Sequence, residues 1–599
     1  MSNFLHTIMK TSLSRRAASA AALLLMAFYG ASANAEIIPR SATSELTLWS
    51  TRPFTRGGDI VPLGNGRVQV LANGAVSQDT LQLRLDGLDV GDLLLAADGG
   101  HDAVGYRNWF DLTSASAGLC YRVGDVDYRR EMFCSQVDSV VLLRLETSKK
   151  GKLSFRLFPA LKETEASAAG DKRTFAIHGA LAETQIRVVE TDGKASAGKR
   201  DVEVKGATQA TVAIAIAPSA ERATQLLNDY EARQKTYDMA RLDHQKHYRK
   251  TFDRVHVSLG FNETQAKKST PARVSEFSSA DDPSLAALYF QLGRYLLLTG
   301  ATDFTRNDPG LEVSFWPAEV CNLSERHAPF LSRVKTLANA AASPAQKASL
   351  LAHVREHYFY TGDKKILAAD DAALRASVVA CGSLADDNLA PFWSLYPGAQ
   401  VSPYADSTLF AAARQLLIGQ EKPADALRAA WFVCLWARLL DGNRALDFLR
   451  DNLFAHIEAN AAYTAGMAEM LLQSHDGSVH LLPALPDEWK TEGNVRGLCA
   501  RGGFEIVDMT WKFGRIERVV IRSRLGGNLR LRSATPLKLD GALGLKFAAD
   551  ANPNPLMQSD PSPKPGIEPL ANTPALELKH TFVYDLDTQA GKTYTFVPN

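Results

Sequence analysis

Residues 282–300 read DPSLAALYFQLGRYLLLTG, and the architecture turns on this stretch. Asp282 stands as an N-cap, with Pro283 at the first helical position, where its missing N–H would have no intrahelical partner anyway. Leu285, Leu288, Tyr289, Leu292, Tyr295 and Leu296 recur at the 3.6-residue period, and Gly300 stops the run. Further amphipathic runs at 350–360, 409–418, 427–440, 445–455 and 463–474 extend this into a helical domain over 282–480.

On either side the hydrophobic period changes to two. Residues 36–218 alternate in short strand-like runs, such as 67–72, 80–85, 140–146, 153–159 and 212–216, separated by Gly, Asp and Asn turns, the pattern of a large N-terminal β-sandwich. Residues 219–281 form a linker with a charged helical segment and a brief strand at 255–259. Residues 481–599 return to strands and read as a smaller C-terminal β domain, with the Pro-rich stretch 552–574 in an irregular loop.

Composition narrows the function classes. The chain has 599 residues, 67 Lys+Arg against 66 Asp+Glu, 46% hydrophobic residues and 22% charged residues. That length predicts about three or four domains. The charge balance offers no basic face for nucleic acid. Residues 1–35 read as a signal peptide: Lys10, Arg15 and Arg16 precede an apolar run from Ala17 to Tyr29, and Ala33-Asn34-Ala35 forms the cleavage site. The expected location is periplasmic or secreted, with no membrane attachment after cleavage. In such a compartment disulfides are permitted, but the hairpin centred on Gly124-Asp125 places Cys120 opposite Arg129 and Cys134 opposite Ala115. The two thiols are then about 17 Å out of register, too far to bridge. Cys321, Cys381, Cys434 and Cys499 are isolated and show no zinc-site spacing.

A series of words in fixed order resembles glycoside hydrolase family 95, the inverting α-L-fucosidases. They are PLGNGR at 62–67, QLGRYL at 291–296, WPAEV at 316–320, EHY at 356–358 with TGD at 361–363, YPG at 396–398, LWARLLDG at 435–442, AEMLLQSH at 468–475, LLPALP at 481–486 and RGGFE at 501–505. The resemblance implies a multidomain β + α chain: an N-terminal β super-sandwich, a central (α/α)6-type helical barrel and a C-terminal β-sandwich. Twelve helices with short loops need roughly 200 residues, and 282–475 supplies 194. The barrel is expected to be minimal or incomplete.

Inverting hydrolysis needs an acid at the leaving oxygen and a base activating water, their carboxyl groups about 6.5–9.5 Å apart. The resemblance implies a Glu acid, and a base assembled from an Asn-x-Asn pair and an Asp. Asp308 and Gly310 stand at the two Asn positions, and Glu458 stands at the Asp position. Asp308 can still accept a proton; Gly310 has no side chain. Glu458 keeps a carboxylate, which reads either as the base or as a capping group between helices. The acid has no counterpart: 363–396 is short, and Asp386 and Asp387 read as loop aspartates. Trp316 and Glu319 are candidate substrate-binding residues, an aromatic face for the sugar ring and a carboxylate for its hydroxyls. The alternative is that Trp316 packs internally and Glu319 caps a helix started by Pro317.

Three other patterns carry less. His353-Val354-Arg355-Glu356-His357 matches H-x-x-E-H, but no third ligand is evident, so no metal and no cofactor is assigned. His244 and His247 read as solvated on the charged linker helix. Ser474-His475-Asp476 is contiguous, whereas a catalytic triad is assembled in space. The resulting expectation is an α-L-fucosidase-type glycoside hydrolase of weak activity on fucosylated or L-galactosylated glycans. The alternative is a degenerate homologue that binds carbohydrate or serves a structural role.

Overall fold

Strict alternation along Gln78–Leu85, where every second side chain is buried, is what lets one face of a sheet enter a core while the other meets a second layer. In the computed structural model this pattern builds two antiparallel sheets between Thr47 and Ala217, one of nine strands and one of seven. Leu81, Leu83, Leu93 and Leu95 from the smaller sheet share a core with Leu143, Ile186, Val212 and Ile214 from the larger. The structure describes residues 45–53, 60–97, 102–168, 172–300, 312–340, 344–367, 390–420, 423, 425–452, 459–541, 545–558, 567 and 576–599. The signal-peptide reading of 1–35 therefore lies outside the described residues. Among those described, no helix is long and apolar enough to cross a membrane.

The hairpin register follows from its turn. Val123 pairs with Val126 and Cys120 with Arg129, so Gly124-Asp125 is the two-residue connection. Cys120, Cys134, Cys321, Cys434 and Cys499 are free and buried. Cys381 lies outside the described residues.

We number the longer helices in chain order. Helices α1 (Ala220–Ala232) and α2 (Tyr237–Phe252) follow the sandwich. His244, read from sequence as solvated, is instead fully buried on α2. Its ring stacks 4.8 Å from Phe133, and Nε2 lies 3.1 Å from the Ser114 carbonyl. The charged composition of α2 hid the one stripe that docks on the sandwich.

Helix α3 (Pro283–Thr299) begins as its sequence dictates, with the Asp282 side chain accepting from Leu285 N at 3.1 Å and Gly300 as C-cap. It is followed by α4 (Ser324–Ala340), α5 (Pro344–Thr361), α6 (Ser407–Ile418), α7 (Ala426–Arg438), α8 (Gly442–Asn452) and α9 (Asn460–Leu471). Thus seven long helices lie between 283 and 471 among the described residues. Helix α3 packs on α9, α9 on α7, α7 on α8, and α4 on α5. The α3–α9 approach needs a glycine: a Cβ at Gly293 would lie 2.0 Å from Thr464 Oγ1.

The C-terminal region holds two more sheets. One contains the linker strand His256–Ser258 paired with Glu492–Arg496; the other begins at Leu472–Gln473, directly after α9. Conserving the chain's polar bonds across these joints falls to α3. The buried Arg294 guanidinium donates to the Phe252 and Val255 carbonyls, and Tyr295 donates to Pro62 O at 2.8 Å. These bonds tie helical middle, linker and N-terminal sandwich together, and each satisfies a group that burial would otherwise leave costly.

Candidate active site

Trp316 and Glu319 sit on the connection between a 3-10 turn, Glu312–Phe315, and α4. Pro317 does not start a helix. Residues 316–322 form successive turns, with Cys321 N bonded to Pro317 O and Leu323 N to Ala318 O, both at 2.8 Å. Asn322 adopts φ +60°, a left-handed conformation that ends any helical run. The C-terminal β domain holds this loop: Cys499 N donates to Val320 O at 2.8 Å, and the Asn322 amide donates to Gly497 O at 3.1 Å.

Glu319 is buried, with both oxygens engaged. Oε1 lies 2.8 Å from His327 Nδ1 and 2.7 Å from His357 Nδ1, and Oε2 accepts from the Ser324 hydroxyl. Burial alone raises the Glu319 carboxyl; the hydrogen bonds and charges of His327 and His357 outweigh it and hold the group at about 2. Burial lowers His357, but Glu319 outweighs that and leaves the imidazole above its ordinary value. His327 passes the contact on, its Nε2 lying 3.0 Å from His353 Nδ1. Burial, with His327 adding to it, drives His353 far below its ordinary value, so that ring is neutral.

The H-x-x-E-H residues thus diverge. His357 turns to Glu319, His353 to His327, and Glu356 pairs with Arg501 across the joint to the C-terminal domain. A small void of about 40 Å³ lies among Trp316, Glu319, His327, His353, Arg438 and Glu469. Trp316 Nε1 and His353 Nε2 border it, buried and with no hydrogen-bond partner among the described residues. Trp316 meets Tyr396 edge-on, centroids 5.0 Å apart.

Sequence reasoning missed His327, Arg438, Glu469 and Arg501 as members of this cluster. A signal was available for the last three: each is a charged residue inside one of the words that carry the resemblance. Arg438 joins α7 to α9 through Glu469 and donates to the Leu395 and Gly398 carbonyls. Asp308, Gly310, Glu458, Asp386 and Asp387 lie outside the described residues. Ser474, His475 and Asp476 form no triad, since Ser474 accepts from Arg501 N while both His475 ring nitrogens are buried without a partner among the described residues.

A second, larger cavity of about 500 Å³ opens between the helical middle and the C-terminal domain. Arg414, Asp441, Asn443, Lys490 and Phe513 line it. Phe513 is 73% exposed at a hairpin tip with φ +51°.

Two β regions thus flank a helical middle, with a tryptophan, carboxylates and imidazoles gathered around one small void. The chain is similar to glycoside hydrolase family 95 in two of its regions. The family's catalytic-domain profile matches residues 236–309 and 388–475, and its C-terminal-domain profile matches 473–556. Residues 86–222 match the N-terminal domain of glycosyl hydrolase family 65. The catalytic match leaves 310–387 uncovered, the segment that contains Trp316, Glu319, His327, His353 and His357. A curated relative, alpha-L-fucosidase 2 of Arabidopsis thaliana, is 24% identical over 71% of this chain and 78% of its own length. Among solved structures, a protein from the human microbiome named as a kojibiose phosphorylase aligns with TM-score 0.49 and 8% identity over 83% of this chain and 98% of that one. A bacterial glucoamylase complexed with acarbose aligns at 0.34 and 9% over 74% and 71%.

Proposed function

We propose that this family 95-like protein is an α-L-fucosidase-type hydrolase that inverts the anomeric centre and turns over weakly, on fucosylated or L-galactosylated glycans in the periplasm or outside the cell. The observation that carries the reading is the unpartnered, buried Nε1–H of Trp316 at a polar void where the helical words converge. An aromatic face with an unused donor suits a sugar ring and its hydroxyl. In this reading the helices form a minimal (α/α) barrel, Trp316 and Glu319 border the sugar subsite, Glu458 is the base and Asp308 assists it. Weak turnover follows from Gly310, which cannot orient water, and from the shortened acid segment; loss of a positioned acid or base removes about 10²–10⁴-fold.

The test is hydrolysis of an activated aryl α-L-fucoside, whose leaving group needs little protonation. Slow release of sugar with β configuration, abolished in Glu458→Gln, supports the proposal. Robust turnover of a natural fucoside refutes weak activity, and unchanged rates in Glu458→Gln show the base is elsewhere.

One observation favours a second reading, a carbohydrate-binding homologue without turnover. The void at Trp316 is far below the ~300 Å³ of ordinary ligand pockets, while the 500 Å³ cavity beside Phe513 is not. Glycan binding that is lost in Phe513→Ala, with no hydrolysis in any preparation, would select this reading.

A further inference from the structure

We propose that Glu319, His327 and His357 bind one divalent transition-metal ion of the zinc type. The carboxylate oxygen and the two ring nitrogens all lie within 4.8 Å of one another, and all three residues are shielded from solvent. They come from three separate places in the chain: the turn loop, the first turn of α4 and the far half of α5. The sequence pattern H-x-x-E-H had no third ligand, and the fold supplies a different set by bringing Glu319 between His357 and His327.

The donor chemistry fits zinc. Zinc takes imidazole nitrogen and carboxylate oxygen at about 2.0–2.2 Å, which places tetrahedral ligand atoms about 3.3 Å apart. The present separations of 2.8 and 2.7 Å need to widen by only about half an ångström. Two nitrogens and one oxygen suit zinc over calcium or magnesium, which demand six or more oxygens.

The atoms that would not ligate are already held. Glu319 Oε2 accepts from Ser324, and His327 Nε2 faces His353 Nδ1, the outer-shell partners that orient metal ligands. With the ion on Nδ1, the His327 ring proton resides on Nε2 and is donated to His353 Nδ1. Each neutral ring exchanges its Nδ1 proton for one on Nε2, and any ring that was charged releases one proton. The void beside Glu319 and His327 is large enough for a water in the fourth position.

The experiment uses the full mature chain, prepared without a polyhistidine tag, stripped with chelator and dialysed against zinc chloride. Elemental analysis should give about one zinc per chain, and cobalt chloride should give the intense visible bands of a four-coordinate site. His357→Gln, at the least buried of the three positions, should fold as judged by circular dichroism yet bind at least tenfold more weakly. His353→Gln should weaken binding by about 10–100-fold through the outer shell, while His247→Gln should leave it unchanged. Less than a tenth of a zinc per chain, or equal affinity in folded His357→Gln, overturns the proposal and leaves a carboxylate shared by two imidazoles. The outcome is independent of fucoside turnover.

Discussion

Arg438 grips Glu469 side-on, Nε to Oε2 at 2.5 Å and Nη2 to Oε1 at 3.0 Å, with both side chains almost entirely out of water. The pair locks the C-terminus of α7 to α9 beside the Trp316 void. Removing one partner leaves a buried, uncompensated charge, so Glu469→Gln and Arg438→Met should each cost about 3–5 kcal/mol. The apolar double variant Arg438→Met/Glu469→Leu should cost less than the sum of the two. Urea unfolding of the three variants checks this; single losses below about 1 kcal/mol would show that the pair is dispensable.

Two carboxyls pull the pH dependence in opposite directions. Burial raises Glu312 from 4.5 to about 8, with only a slight lowering from the Ser349 hydroxyl. A raised carboxyl contributes stability that is fully present below 4.5 and lost as pH rises through about 8. Each unit is worth about 1.4 kcal/mol, so Glu312→Gln should match the parent near pH 4 and exceed it by up to a few kcal/mol at pH 8.5. Glu319, held at about 2, contributes stability that is present above 4.5 and lost as pH falls through about 2. Paired denaturation curves at pH 4 and 8.5 decide the Glu312 case, and equal differences at both would contradict it.

Gly293→Ala would ordinarily gain about 0.5–1 kcal/mol within a helix. Here the added Cβ falls 2.0 Å from Thr464 Oγ1 and 2.8 Å from Asn460 O, so α3 and α9 must part. Overpacking of this kind costs typically 1–3 kcal/mol. The net sign should be destabilising, and a raised melting temperature would show that the helices can separate freely.

Thiol chemistry should be silent until the chain unfolds. Burial pushes Cys120 up to about 11 and Cys321 and Cys499 up to about 12, and the five described cysteines form no disulfide. Reducing agent should leave the melting temperature unchanged, and a thiol reagent at pH 8 should label none of these five in the native state. Mass mapping of labelled peptides tests this, and native labelling of Cys120 or Cys321 would contradict their burial.

The sequence by itself determined what depends on neighbours along the chain. Period-two and period-3.6 patterning separated β, helical and β regions, Asp282 and Gly300 bounded α3, and Gly124-Asp125 set a hairpin register that keeps Cys120 from Cys134. The ordered words carried the family resemblance. These are short-range or pattern-level properties, and local backbone physics suffices to read them. Tertiary structure alone decided which polar groups meet. His244 left solvent because one stripe of a charged helix docks on Phe133, and Glu319 became the centre of an imidazole cluster because its loop meets His327 of α4 and His357 of α5. His353 and His357, one helical turn apart, went to different partners. Such contacts depend on which faces of distant elements come together, and no spacing within a single segment encodes that.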